Sequence, residues 1–144
     1  MATIKAYRDI DLQHLRKLFL EERKRTFADQ DISEFKLEDF DKQTQGEYIL
    51  TAIIDDIPVG FISIWMPNNF IHHLYVDTKH QGKNIGTALL KAATKKAAFP
   101  ITLKCLASNT KAADFYVRKG FTEKSRGHSS NGIYILFELT KEIK

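Results

Sequence analysis

His80-Gln81-Gly82-Lys83-Asn84-Ile85-Gly86-Thr87-Ala88-Leu89-Leu90 is a glycine-punctuated turn that runs straight into a helical pattern and follows an apolar strand, Phe70 to Val76. A junction of this kind gathers free backbone N–H groups and the positive end of a helix dipole at one place, here with Lys83 beside it. It serves either as an anion site or as a tight strand-to-helix connection. The rest of the chain decides between them.

Upstream, Ile4 to Arg8 is a short β-prone run, and Asp9 or Asp11 can cap a helix that starts near residue 11. Leu12, Leu15, Leu18, Phe19 and Glu22 follow helical spacing, which turns the apolar stripe inward and leaves Arg16, Glu21, Arg23 and Lys24 in water. Phe27 to Gln45 is polar, acidic and dotted with aromatics (Asp29, Asp31, Glu34, Phe35, Glu38, Asp39, Phe40, Asp41), with a short helix over Leu37 to Gln43. Glu47 to Ile54 and Val59 to Met66 are β-branched and aromatic runs joined by Asp55-Asp56-Ile57-Pro58, which is hairpin chemistry. Phe70 to Val76 completes an antiparallel meander that ends at the opening turn.

Downstream, the helix from Asn84 to about Ala97 carries Ile85, Leu89, Leu90 and Ala93 on one face and Lys91, Lys95 and Lys96 on another, as a helix laid on a sheet does. Ile101 to Ala107 is a fifth strand. Asn109 opens a second amphipathic helix, Lys111 to Lys119, closed by Gly120. Phe121 to Ser125 and Ile133 to Leu139 form a last hairpin around Gly127 to Gly132. The order predicts a single α+β domain over residues 1–144, with a mixed, mostly antiparallel sheet of six to seven strands, one central parallel pair and about four helices.

Composition narrows the function classes. Lys and Arg number 22 against 18 Asp and Glu, a net charge of +4 that suits a phosphate-bearing ligand, while the lysines are dispersed among acids and form no nucleic-acid stripe. A lone cysteine, Cys105, allows no internal disulfide and suggests no metal cluster, and its apolar strand reads as a buried structural thiol. With no apolar run of membrane-spanning length and no apolar signal core at the N-terminus, the chain is expected to be cytoplasmic, with neither membrane nor nucleic acid as partner.

Spacing tests the anion site directly. A P-loop needs four residues between its glycines and a Lys after the second, but Gly82 and Gly86 are separated by three and followed by Thr87. The three-glycine dinucleotide fingerprint is absent as well. What remains resembles the Gln/Arg-x-x-Gly-x-Gly/Ala motif of the GNAT N-acetyltransferase superfamily, with Gln81, Asn84 and Gly86 on its fixed positions after a Leu-x-Val strand end at Leu74 and Val76. The segment from Asn109 through Ala112, Phe115-Tyr116 and Gly120-Phe121 resembles that family's second signature. Asn84 departs from the usual glycine. Asparagine tolerates a left-handed backbone best among the other residues, so the turn can be kept at a cost of about 1 kcal/mol.

The resemblance implies acetyl-CoA as co-substrate, no metal, and direct transfer to a primary amine of a small molecule or peptide. It also implies a bulge that splays the parallel pair and exposes N–H groups toward a thioester, with Leu74, Tyr75 and Val76 along the acetyl-pantetheine arm. Gln81, Gly82, Lys83, Asn84, Ile85, Gly86 and Thr87 would hold the pyrophosphate, and Asn109 would contact the pantetheine arm, a role compatible with capping its helix. Tyr116 matches the tyrosine that protonates the departing thiolate. For the base, His72 stands where many relatives carry glutamate; His73, Glu21, Glu22 and Glu34 are the other candidates. Phe115 and Phe121 read as core, and the family commonly forms homodimers. The alternative from another class is a module of the same fold that binds acyl-CoA without chemistry.

Overall fold

β2 (Tyr48–Ile54) and β3 (Ile57–Trp65) form where β-branched and aromatic residues run almost without interruption, and nearly every position of both is buried, as befits central strands covered on both faces. The turn between them is only Asp55 and Asp56, with φ of 51° and 68°, the left-handed pair that a two-residue I′ turn requires. Pro58, expected in the turn, lies inside β3 opposite Ile53. Val59 beside it is bulged out of the pairing, so the missing N–H falls where the ladder is already irregular.

The computed structural model describes residues 2–28 and 30–143; Asp29 of the acidic stretch lies outside them. β1 (Thr3–Ala6), β2, β3, β4 (Phe70–Val76), β5 (Ile101–Leu106), β6 (Thr122–Ser129) and β7 (Gly132–Leu139) make one seven-stranded sheet in the order β1-β2-β3-β4-β5-β7-β6. Every pair is antiparallel except β4 and β5. Helices α1 (Leu12–Thr26), α2 (Asp39–Gln43), α3 (Ile85–Lys96) and α4 (Thr110–Arg118) flank it, so the fold class expected from the sequence is the one observed. No helix among the described residues is long and apolar enough to cross a membrane.

Strand alternation divides the core in two. Leu50, Ala52, Ile62, Ile64 and Ile71 face α3, whose Ile85, Leu89, Leu90 and Ala93 complete a cluster that extends to Tyr116, Phe121 and Phe137. Ile49 and Phe61 face the other way, onto Leu15, Leu18 and Phe19 of α1 and Phe40 of α2. Phe19 is fully buried with its ring edge-on to Phe40, Phe61 and Tyr75 at 5.6–6.0 Å, a site where truncation to alanine costs about 3–5 kcal/mol.

Two expectations for α1 need correction. Asp11 stands at its N-cap but does not cap it: the carboxylate takes a bidentate bond from Arg8 at 2.8 and 3.0 Å instead. Arg23, expected in water, is buried. Its guanidinium lies 4.4 Å from the Phe19 ring and 4.1 Å from that of Phe35, and it donates to Asp39 at 2.8 Å. Two aromatic faces and a carboxylate replace its hydration, which helical periodicity cannot foresee. The final hairpin is also longer than expected, because Gly127 sits within β6 rather than in the turn. The Tyr134 ring lies over it where a Cβ would stand, so a larger residue at this position would have to displace that ring.

Candidate active site

β4 pairs with β5 at only two positions, Phe70 with Thr102 and Ile71 with Leu103. At the next residue the strand changes course. Ser63 of β3 pairs with His73 and Ile64 with Ile71, which leaves His72 as the extra, bulged residue. Beyond it β4 stays paired to β3 but leaves β5, and a cleft of about 1270 Å³ opens between them. The Asp77 N–H donates to Val59 O at 2.8 Å, toward β3; by strand alternation the N–H groups of Leu74 and Val76 point the other way, into the cleft.

The turn after β4 is braced from three sides. Asp77 accepts from the Lys79 N–H at 3.0 Å, closing a 3₁₀ turn over Thr78–His80. Glu22, buried on α1, accepts from the Thr78 N–H at 3.1 Å and from its hydroxyl at 3.0 Å. Gln81 donates through Nε2 to Val76 O at 3.0 Å and accepts through Oε1 from Lys111 Nζ at 3.1 Å, tying the strand end to the first turn of α4. Gly82 at φ 81° and Asn84 at φ 62° make the left-handed steps, and Asn84 adopts the conformation its motif position demands. Its side chain makes no capping bond, so the first N–H groups of α3 face the cleft without a protein partner at the cap.

Leaving aside the alternative candidates for the base, every residue expected to bind or react lines this one cleft except Lys83, which is exposed just outside it: His72, Leu74, Tyr75, Val76, Gln81, Gly82, Asn84, Ile85, Gly86, Thr87, Asn109 and Tyr116 are all on its wall. Asn109 also caps α4, accepting from the Ala112 N–H at 3.3 Å. Tyr116 reaches the cleft from α4, packed against Phe115, Phe121 and Phe137. Burial foremost, and then the neighbouring Cys105 and Tyr75, hold its phenol well above the ordinary tyrosine range. Cys105 is itself pushed up to about 11 by burial, which makes it a poor nucleophile.

The bulge brings both histidines to one side, with ring centroids 3.8 Å apart and ring planes tilted by 34°. Their chemistry differs. His73 is buried under α2, between Ser63 Oγ at 2.9 Å from Nδ1 and Gln43 Oε1 at 3.4 Å from Nε2; burial, then His72 and Arg23, lower it to about 3. Gln43 Oε1 only accepts, so Nε2 carries the proton and Nδ1 accepts from the serine. It is a neutral structural group. His72 is exposed to the cleft and its Nδ1 lies 2.7 Å from Glu47 Oε2. The other carboxylate candidates fall away on position: Glu22 is engaged by Thr78, while Glu21 and Glu34 are exposed and do not line the cleft.

Glu47, His72 and His73 offer ligand atoms within 4.8 Å of one another, the one such trio among the described residues. In this arrangement the trio is engaged in hydrogen bonds: His72 Nδ1 lies 2.7 Å from Glu47 Oε2, and His73 Nδ1 is held by Ser63. The cleft has the features an acyl-CoA would use: a slot bordered by unpaired strand N–H groups leads to an open helix N-terminus, and at Gly82 no neighbouring atom lies within 4 Å of where a Cβ would stand. Glu47 escaped sequence reasoning because nothing local marks it, and only the chain reversal at Gly46 and the bulge at His72 bring the two together.

The sequence matches the family model for the acetyltransferase (GNAT) domain over residues 11–137. No curated protein matches it. Among solved structures, a GCN5-related N-acetyltransferase from Rhodopseudomonas palustris superposes with a TM-score of 0.80 at 23% identity, covering 98% of this chain and 96% of that one. The PaiA N-acetyltransferase of Thermoplasma acidophilum, solved with coenzyme A, gives 0.74 at 22% identity, covering 96% and 99%. An N-acetyltransferase from Staphylococcus aureus gives 0.79 at 15%, covering 96% and 100%.

Proposed function

The chain belongs to the acetyltransferase (GNAT) domain family, and from that premise we propose that it transfers the acetyl group of acetyl-CoA directly to a primary amine of a small molecule or peptide, in the cytoplasm. The observation that carries this reading is a single cleft that joins an open helix end, a splayed strand with inward N–H groups and a buried phenol.

The roles follow from what each group offers. The N–H groups of Ile85, Gly86 and Thr87, with Lys83 nearby, neutralise the pyrophosphate, and Gln81 keeps the turn in register with α4. Asn109 and the strand end from Leu74 to Val76 align the pantetheine arm in the slot. His72 takes a proton from the acceptor ammonium, directly or through water, so that the free amine attacks the thioester carbonyl. The N–H groups of Leu74 and Val76 stabilise the oxyanion. As the C–N bond forms and the C–S bond breaks, Tyr116 gives its proton to the leaving sulfur. The raised pKa keeps that phenol protonated through the neutral range.

Coenzyme A release over a panel of amines tests the reading. The wild type releases it with at least one amine, and Tyr116→Phe lowers kcat roughly 10²-fold with the KM for acetyl-CoA nearly unchanged. Acetyl-CoA binding without release to any amine would point instead to a sensing module of the same fold.

A further inference from the structure

One buried carboxylate has no part in the mechanism above. Glu47 immediately precedes β2, held by its N–H to Thr44 O at 2.9 Å after a left-handed turn at Gly46. Its side chain is 6% exposed, yet among the described residues it pairs with no lysine or arginine. Among the described residues the only bond its carboxylate accepts is that from His72 Nδ1 to Oε2; Oε1 is buried without a partner there, 3.9 Å from His73 Nδ1. An ionisable group removed from water needs compensation, and here that compensation is an imidazole that reaches the reaction cleft.

We propose that Glu47 is the positioning residue for His72, making a carboxylate–histidine pair of the base. The inference rests on the assignment of His72 as base. A carboxylate only accepts, so the proton of neutral His72 sits on Nδ1, and Nε2 is left as the lone-pair nitrogen with no protein partner among the described residues. Glu47 does not line the cleft, so it acts from behind: it fixes the tautomer and ring orientation, and it faces the positive charge that His72 acquires on taking the ammonium proton. His73 packs against the His72 ring in the opposite tautomer, its Nδ1 lone pair turned to Ser63 and its proton on Nε2. Four elements meet at this pair: the end of α2, the start of β2, β3 and the bulge of β4.

The test uses the full chain with Glu47→Gln, Glu47→Leu, His72→Ala and the double variant Glu47→Leu/His72→Ala. Side-chain ¹⁵N spectra, which need no acceptor, should show His72 of the wild type in the Nδ1–H form and a shift toward the Nε2–H form in Glu47→Leu. A wild-type Nε2–H form, or one tautomer in both proteins, overturns the proposal. With any amine that supports turnover, Glu47→Gln and Glu47→Leu should lower kcat by roughly 10- to 100-fold at a KM for acetyl-CoA close to wild type. The double variant should be no slower than His72→Ala. Additive losses would mean that Glu47 acts on its own, and unchanged kcat in Glu47→Gln and Glu47→Leu would make the pair ornamental; either sinks it. Absence of turnover in the wild type speaks against the transferase reading, while the spectra still decide the pair.

Discussion

Two asparagines open the two helices that flank the parallel strands, and they do opposite things. Asn109 stands at φ −86° and folds its side chain back onto the Ala112 N–H, so the end of α4 is closed by the protein itself. Asn84 stands at φ 62° with no capping bond, so α3, the longer helix, begins with N–H groups left over. A buried or half-buried helix end without partners is unfavourable unless something else supplies them. The contrast shows where the fold reserves hydrogen bonds for an anion and where it uses them for its own stability.

The sharpest way to break the contrast is Gly86→Asp. The nearest atom to a Cβ at Gly86 is Phe115 Cζ at 3.6 Å, ordinary contact, so a β-carbon is accommodated there. A carboxylate in the first turn favours the helix dipole, so the melting temperature should hold or rise, while acetyl-CoA affinity falls by about 10²-fold through like-charge repulsion. Titration calorimetry beside thermal unfolding reads both; equal loss of the two would mean simple misfolding. A smaller effect comes from the closed end. Asn109→Ala should cost about 1 kcal/mol in urea unfolding, and Asn109→Asp should recover it. The proposed pantetheine contact further predicts a raised KM for acetyl-CoA in both variants, and a normal KM in Asn109→Asp would reduce Asn109 to a cap. Smallest of all is Asn84→Gly, which relieves a left-handed asparagine but loosens the unfolded chain, leaving stability within about 0.5 kcal/mol of wild type. Asn84→Ala should lose about 1 kcal/mol.

Much of this contrast is legible in the chain because it is local. Gln81, Gly82, Asn84 and Gly86 lie within six residues, and the left-handed steps of the turn, at Gly82 and Asn84, depend on those two residues' own φ preferences. The bounds of β4 and the apolar face of α3 follow from strong periodicity in the same way. Arg23 and Glu47 illustrate the opposite case. Arg23 lies on the polar side of a helical wheel, and its burial depends on Phe35 and Asp39 arriving from the next loop. Glu47 meets His72, 25 residues away in the chain, across β3, and only because a bulge turns that ring toward it. Long-range pairing of polar groups leaves no period to read.

The central claim is that the open end of α3 and the splayed part of β4 hold acetyl-CoA together. Backbone amide shifts followed during an acetyl-CoA titration of the full chain test it most directly. The account predicts the largest changes at Ile85, Gly86 and Thr87 and at Leu74 and Val76, with the Ala112 amide, already bonded to Asn109, moving little. Changes centred on the first turn of α4, with Ile85 to Thr87 unmoved, would contradict it.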